Sequence, residues 1–242
     1  MHQRTGMTTL VFILSIFSFA RSEAYQFVPT DAEWQSWPAH CQAKYVWTNI
    51  GRGSKFANLI GETHKTELAQ WENAGIHGVH HYCTGTIYLK RARAEDDPDR
   101  RRYTLRNAYN ETQYAFSRSD KRSALFAHLA TQMATIMYEQ DELDAALQML
   151  SDVIVAQPQN GVLYSAMAVM QRKLGRLEEA KTTLLQGNEA LDGKSAEISY
   201  NLGLISIELG EIDNAVRYAE SAYELGFPLP GLRTKLEKLG RM

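Results

Sequence analysis

Apolar residues recur at helical spacing in three stretches of the C-terminal half, Ala124 to Glu139, Gly161 to Leu174 and Ala196 to Leu209. Each is followed by a second periodic stretch that opens on a related hexad. The hexads are DELDAA at 141–146, GRLEEA at 175–180 and GEIDNA at 210–215, and they align without gaps at spacings of 34 and then 35 residues. The pattern predicts three helical hairpins. Gly175 and Gly210 supply tight turns, and small residues mark where helices cross closely. Ala134, Ala168 and Gly203 stand seven residues before the turn position, while Ala146, Ala180 and Ala215 stand five after it. Pro158 and Pro228 interrupt the chain near the ends of two second helices. One such hairpin cannot bury its apolar face alone, so stacking into a right-handed solenoid is expected.

These residues resemble the tetratricopeptide-repeat (TPR) superfamily in repeat length and in the placing of small residues. The implied fold is an all-α, TPR-type helical-hairpin solenoid. Three repeats cover 127–227, with Asp141 where Gly is usual and Gly187 where Ala is usual. A degenerate hairpin is expected over 75–126, with Gly85 and Tyr88 at the small and large positions of a first helix. Ala94 to Asp99 reads as a long loop, and Arg101 to Ser117 as the second helix. Residues 228–242 read as a C-terminal capping helix. Residues 25–74 do not fit the repeat and read as a Trp- and His-rich N-terminal cap. In it, Thr30 or Asp31 caps one short helix and Pro38 opens another over Ala39 to Val46. Together with His80-His81-Tyr82-Cys83, this tract resembles small bacterial periplasmic TPR proteins, a likeness that brings no assigned activity.

The ends and the cysteines place these repeats in a compartment. Arg4, the apolar run Leu10 to Ala20 and the Ser22-Glu23-Ala24 site read as a secretory signal over 1–24, cleaved after Ala24. The apolar run is shorter than the roughly 20 residues a membrane span needs, and no later segment is apolar enough to cross a bilayer, so no stable span is expected after cleavage. Cleavage leaves 24 basic and 27 acidic residues. With no basic stripe, nucleic acid is not an expected partner; Arg100, Arg101 and Arg102 follow Glu95, Asp96, Asp97 and Asp99. Periplasmic export exposes Cys41 and Cys83 to oxidation, and one bridge between them is the simplest outcome.

Five of seven histidines fall between His40 and His81. His77 and His81 stand four apart, which on one helix would put their rings on one face, and adding Cys41, Cys83 or His40 would complete a tetrahedral metal set. Neither HExxH nor a paired CxxC is present, so a disulfide with core histidines is the preferred reading and no metal or cofactor is expected. Of the four tryptophans, Trp37 and Trp47 read as core residues rather than sugar platforms, while Trp34 and Trp71 have no assigned place. GxSxG, GxxxxGK[ST] and GxGxxG signatures are lacking, so catalysis is not expected.

The resemblance implies a concave groove drawn from first helices. Its positions here are Thr131, Thr135 and Tyr138, then Ser165, Val169, Arg172 and Lys173, then Tyr200, Leu204 and Ile207. A protein or peptide partner would dock there by apolar anchors within a polar rim. The carboxylate clamp of some TPR proteins is absent, because Thr131, Thr135, Ala166 and Glu197 occupy its positions and only Asn201 is polar and neutral. The expected function is an exported adaptor or scaffold in bacterial envelope assembly or secretion. The alternative is a metal- or glycan-binding module centred on the His/Cys/Trp-rich N-terminal region.

Overall fold

The computed structural model describes residues 26–241; the secretory signal read over 1–24 lies outside the described residues. Helices α1 (Asp31–Ser36), α2 (Ala39–Val46), α3 (Glu62–Asn73), α4 (Val79–Arg93) and α5 (Pro98–Arg118) come first. They are followed by α6 (Phe126–Glu139), α7 (Leu143–Ala156), α8 (Gly161–Lys173), α9 (Leu177–Ala190), α10 (Ala196–Glu208), α11 (Ile212–Glu224) and α12 (Gly231–Lys238). No strand occurs among the described residues.

Local chemistry sets the helix starts. Thr30 caps α1 reciprocally: its backbone N–H donates to Glu33 Oε2 at 2.8 Å, and its hydroxyl accepts from Glu33 N at 3.3 Å. Asp97 caps α5 by accepting from the N–H groups of Asp99 and Arg100, with Pro98 in the first turn. The loop between α4 and α5 is therefore only Ala94 to Asp97, shorter than the Ala94-to-Asp99 insertion expected, because Pro98 suits a first helical turn. In the hairpins α6–α7, α8–α9 and α10–α11, the turn residues Asp141, Gly175 and Gly210 adopt φ of 62°, 73° and 77°. Glycine takes this left-handed region freely, whereas the aspartate strains there. Asp141→Gly is expected to raise stability by about 1 kcal/mol, read as a shift in denaturation midpoint without a change in slope.

The small residues sit where helices cross. Ala134, Ala146, Ala168, Ala180 and Ala215 are all at most 1% exposed. Gly187, where alanine is usual, has a physical reason: a Cβ there would stand 2.6 Å from Tyr164 Cγ and 2.9 Å from Ile198 Cδ1. Tyr164 takes the space, and its hydroxyl donates to the Pro158 carbonyl at 3.0 Å.

One core runs from the N-terminal segment into the repeats, joining Phe27, Trp34, Trp37, Tyr45, Phe56, Leu68 and Trp71 to Ile87, Phe126, Met133 and Leu150. Trp34 stacks on Phe56 at 4.3 Å between centroids, and Trp37 Nε1 donates to the Cys83 carbonyl at 3.0 Å. Trp34, Trp37 and Trp71 are thus buried, but Trp47 is 46% exposed and is not the core residue expected. Helix α2 ends at Val46, and Trp47 is its C-terminal cap residue. At the other end, Leu232 and Leu236 of α12 are fully buried against Ala215 and Ala219.

Candidate functional site

Two places gather chemistry. The first is a hollow of about 240 Å³ between α6, α8 and the start of α10. Thr131, Thr135 and Tyr138 come from α6, Ser165, Val169 and Lys173 from α8, joined by Val162, Ala166, Met170 and Glu197. Helical spacing of three and four residues puts each set on one helix face. The Lys173 ammonium lies 4.9 Å from the Tyr138 ring centroid, joining the two helices at the rim. Thr135 donates its hydroxyl to the Thr131 carbonyl at 2.8 Å, while Thr131 Oγ1 is buried and has no hydrogen-bond partner among the described residues. Burial pushes the Glu197 carboxyl above its ordinary range, partly offset by the Ser165 hydroxyl. The surface is apolar along Val162, Val169 and Met170, with one cation, Lys173, and one acid, Glu197, around it.

The second place is the buried contact between α2 and α4. Cys41 and Cys83 are bridged, with Cα atoms 5.6 Å apart. His40, 7% exposed, stacks on Trp71 at 4.1 Å, and its Nδ1 lies 3.7 Å from Glu67 Oε2. Its Nε2 is buried with no hydrogen-bond partner among the described residues. Burial lowers the His40 pKa to about 4, against the pull of Glu67, so the ring is neutral at pH 7.

The metal set considered from sequence, His77, His81 and Cys83, is not assembled. His77 is exposed and precedes α4, because Gly78 takes a left-handed conformation at its start, so the i, i+4 relation to His81 is not helical. His81 Nδ1 lies 2.6 Å from Glu111 Oε2, and Cys83 is in the disulfide. The residue that does join the cysteines is His40, whose adjacency to Cys41 was visible in the sequence but whose approach to Cys83 was not.

A larger hollow, about 830 Å³, runs along α5 to the α6–α7 turn, and no sequence motif pointed to it. It mixes Arg102, Arg106, Tyr103 and Tyr109 with Asp99, Glu139 and Asp141. Burial alone would raise the Glu139 carboxyl, but hydrogen bonds from Arg93 at 2.8 Å and Arg101 at 2.6 Å hold it below its ordinary range. That acid is already satisfied.

Three consecutive hairpins at 34- and 35-residue spacing, turning on left-handed residues and crossing on alanines, decide the architecture. The fold is a TPR-type solenoid. Residues 128–224 match a family model described as the TT21 fifth ARM repeats domain. The structure of YrrB, "a TPR protein with an unusual peptide-binding site", is 16% identical, with TM-score 0.46, covering 83% of this chain and 100% of that one. The MamA protein is 14% identical, with TM-score 0.46 and coverage of 79% and 98%. TTC0263, a thermophilic TPR protein of Thermus thermophilus, is 18% identical, with TM-score 0.45 and coverage of 69% and 97%. No curated protein matches the chain. Likenesses of this depth stand beside the fold, and what those proteins bind does not carry over.

Within the TPR solenoid, the ten groove positions named from sequence divide. Six of them, Thr131, Thr135, Tyr138, Ser165, Val169 and Lys173, line the hollow. Arg172 instead donates to Glu208 from Nε at 2.8 Å and from Nη2 at 2.5 Å, tying α8 to α10. Tyr200 stacks on Phe227 at 4.2 Å, and Tyr200, Leu204 and Ile207 pack against the α12 cluster. The C-terminal helix takes up apolar surface that a regular further repeat would occupy, so the open part of the groove lies in the first two of the three repeats.

Proposed function

We propose that the chain is an exported, non-catalytic TPR scaffold that holds a peptide segment of a protein partner in the hollow between α6 and α8, in bacterial envelope assembly or secretion. The observation that carries the reading is the Tyr138–Val162–Val169 surface with Lys173 at its rim, where apolar anchors and a polar border face the same cavity. The signal read in residues 1–24 and the Cys41–Cys83 bridge support an oxidising, extracytoplasmic location.

A photo-crosslinking residue placed in the native host at Val162, 37% exposed in the hollow, tests this against one at Val155, 80% exposed on α7. The expected result is a discrete adduct from position 162 and none from 155. Tyr138→Ala should weaken recovery of that adduct on the order of tenfold or more, as for a buried aromatic anchor, while the melting transition stays cooperative. Equal adducts from both positions, or an adduct indifferent to Tyr138→Ala, would sink the groove.

A further inference from the structure

The cystine between α2 and α4 has a third potential ligand beside it. One ligand atom each from His40, Cys41 and Cys83 lies within 4.8 Å of the other two, and all three residues are buried. The imidazole is placed as a metal ligand would be. Its Nε2 is buried and unpartnered among the described residues, while Nδ1 faces Glu67 Oε2 at 3.7 Å. In metal sites the second ring nitrogen commonly points at a carboxylate that fixes tautomer and orientation. Stacking on Trp71 holds the ring plane. A core histidine kept only for packing would be expected to satisfy its buried nitrogen, since an orphaned polar atom costs about 1–3 kcal/mol.

We propose that opening of the Cys41–Cys83 disulfide by a dithiol converts this cluster into a binding site for one zinc ion, held by two thiolates and His40. The chemistry balances simply. A dithiol reductant gives up two hydrogens and closes to its own disulfide, and the protein gains two thiols. Zinc then displaces both thiol protons and takes the neutral imidazole of His40 as its third ligand. Two sulfurs and one nitrogen are a donor set zinc favours, leaving a fourth position for water. The disulfide and the ion use the same sulfurs, so the two states exclude each other. Both cysteines are 1% exposed and Trp37 is bonded to the Cys83 carbonyl, so the reductant reaches them only when the packing of α2 on α4 opens locally.

The test uses the full chain, reduced with dithiothreitol and freed of it under nitrogen, titrated with zinc against a chromophoric chelator. One zinc per reduced chain is expected, with two protons released and a rise in Tm. X-ray absorption of the loaded chain should show two sulfurs at about 2.3 Å and nitrogen at about 2.0–2.1 Å. The oxidised chain should bind at least about 100-fold more weakly, having lost both thiolates. Glu67→Gln, a change at a partly exposed side chain, should weaken the reduced site about tenfold. His40→Gln should remove the imidazole from the absorption spectrum; if that variant misfolds, the donor set of the unmodified chain still decides. No stoichiometric zinc in the reduced chain, fewer than two sulfurs around it, or equal affinity in the oxidised chain would overturn the proposal. The last result would place the ion on exposed histidines such as His77.

Discussion

Replacing both halves of the bridge, Cys41→Ala with Cys83→Ala, is expected to lower stability by about 4 kcal/mol. The bridge closes a loop of 42 residues, and losing a closed loop of that length returns about 13 cal/mol/K of entropy to the unfolded chain. At this chain length the loss corresponds to a fall in Tm of about 8–16 °C. The native packing should survive the change. Trp34 keeps its stack on Phe56, Trp37 keeps its bond to the backbone carbonyl at position 83, and the aromatic cluster holds α1 and α2 against α4 without the sulfurs. The weakening should therefore be uneven. Solenoid stability is close to a sum over neighbouring units, so residues 26–76 should lose hydrogen-exchange protection before α8 to α11 do. A Tm shift of about 2 °C or less would mean that the aromatic core alone fixes the N-terminal segment, and that the loop entropy is already small in the unfolded state.

The same contrast explains what was legible in the sequence. The repeats were legible because their determinants are local. Asp141, Gly175 and Gly210 announce the turns, and alanines five residues later announce the crossings, whatever lies elsewhere in the chain. The cap at Thr30 and the start of α2 after Pro38 were local in the same sense. The site was legible only where it depends on one helix face at a time. Thr131, Thr135 and Tyr138 share a face by spacing, as do Ser165, Val169 and Lys173. Tyr200, Leu204 and Ile207 have equivalent spacing, but α12 folds back onto the end of the solenoid and packs with them, a long-range event that periodicity does not encode. Trp47 and His77 failed for a smaller reason. His77 lies two residues before α4, across the left-handed Gly78, where the phase of α4 does not apply, and Trp47, still helical in its backbone, is left 46% exposed at the end of α2. His40 was hidden more thoroughly, because its partners Glu67, Trp71 and Cys83 come from two other helices.

Mild acid is expected to unfold this protein from the N-terminal side. Trp71 lies between two imidazoles, His40 at 4.1 Å and His128 at 5.7 Å, and His80 is part of the same histidine-rich region. Burial lowers His40 to a pKa of about 4, with His128 adding to it and Glu67 opposing. Burial likewise lowers His80 to about 4, helped by His81 and Lys44, and it lowers His128. In the unfolded chain these rings titrate near 6.5. Between pH 6.5 and 4 the unfolded state therefore binds protons that the folded state excludes, and stability rises with pH through that window. The contribution is fully present above 6.5 and is lost as the pH falls towards 4. For His40 it is on the order of 3 kcal/mol, and His80, lowered as far, adds a contribution of the same sign and order. Below about pH 4.5 the carboxylates of Glu33 and Glu139, held low by their arginines, lose their own contribution in the same direction. Glu197 runs the other way, since its raised carboxyl is relieved by protonation. Melting curves taken from pH 7.5 to 4 should show Tm falling from about pH 6.5 downwards, ahead of the carboxylate range. His40→Phe, which keeps an aromatic ring against Trp71 but carries no proton, should flatten that fall. A Tm that stays level down to pH 4.5 would show that the cluster accepts protons in place, with Glu67 close enough to stabilise the imidazolium of His40.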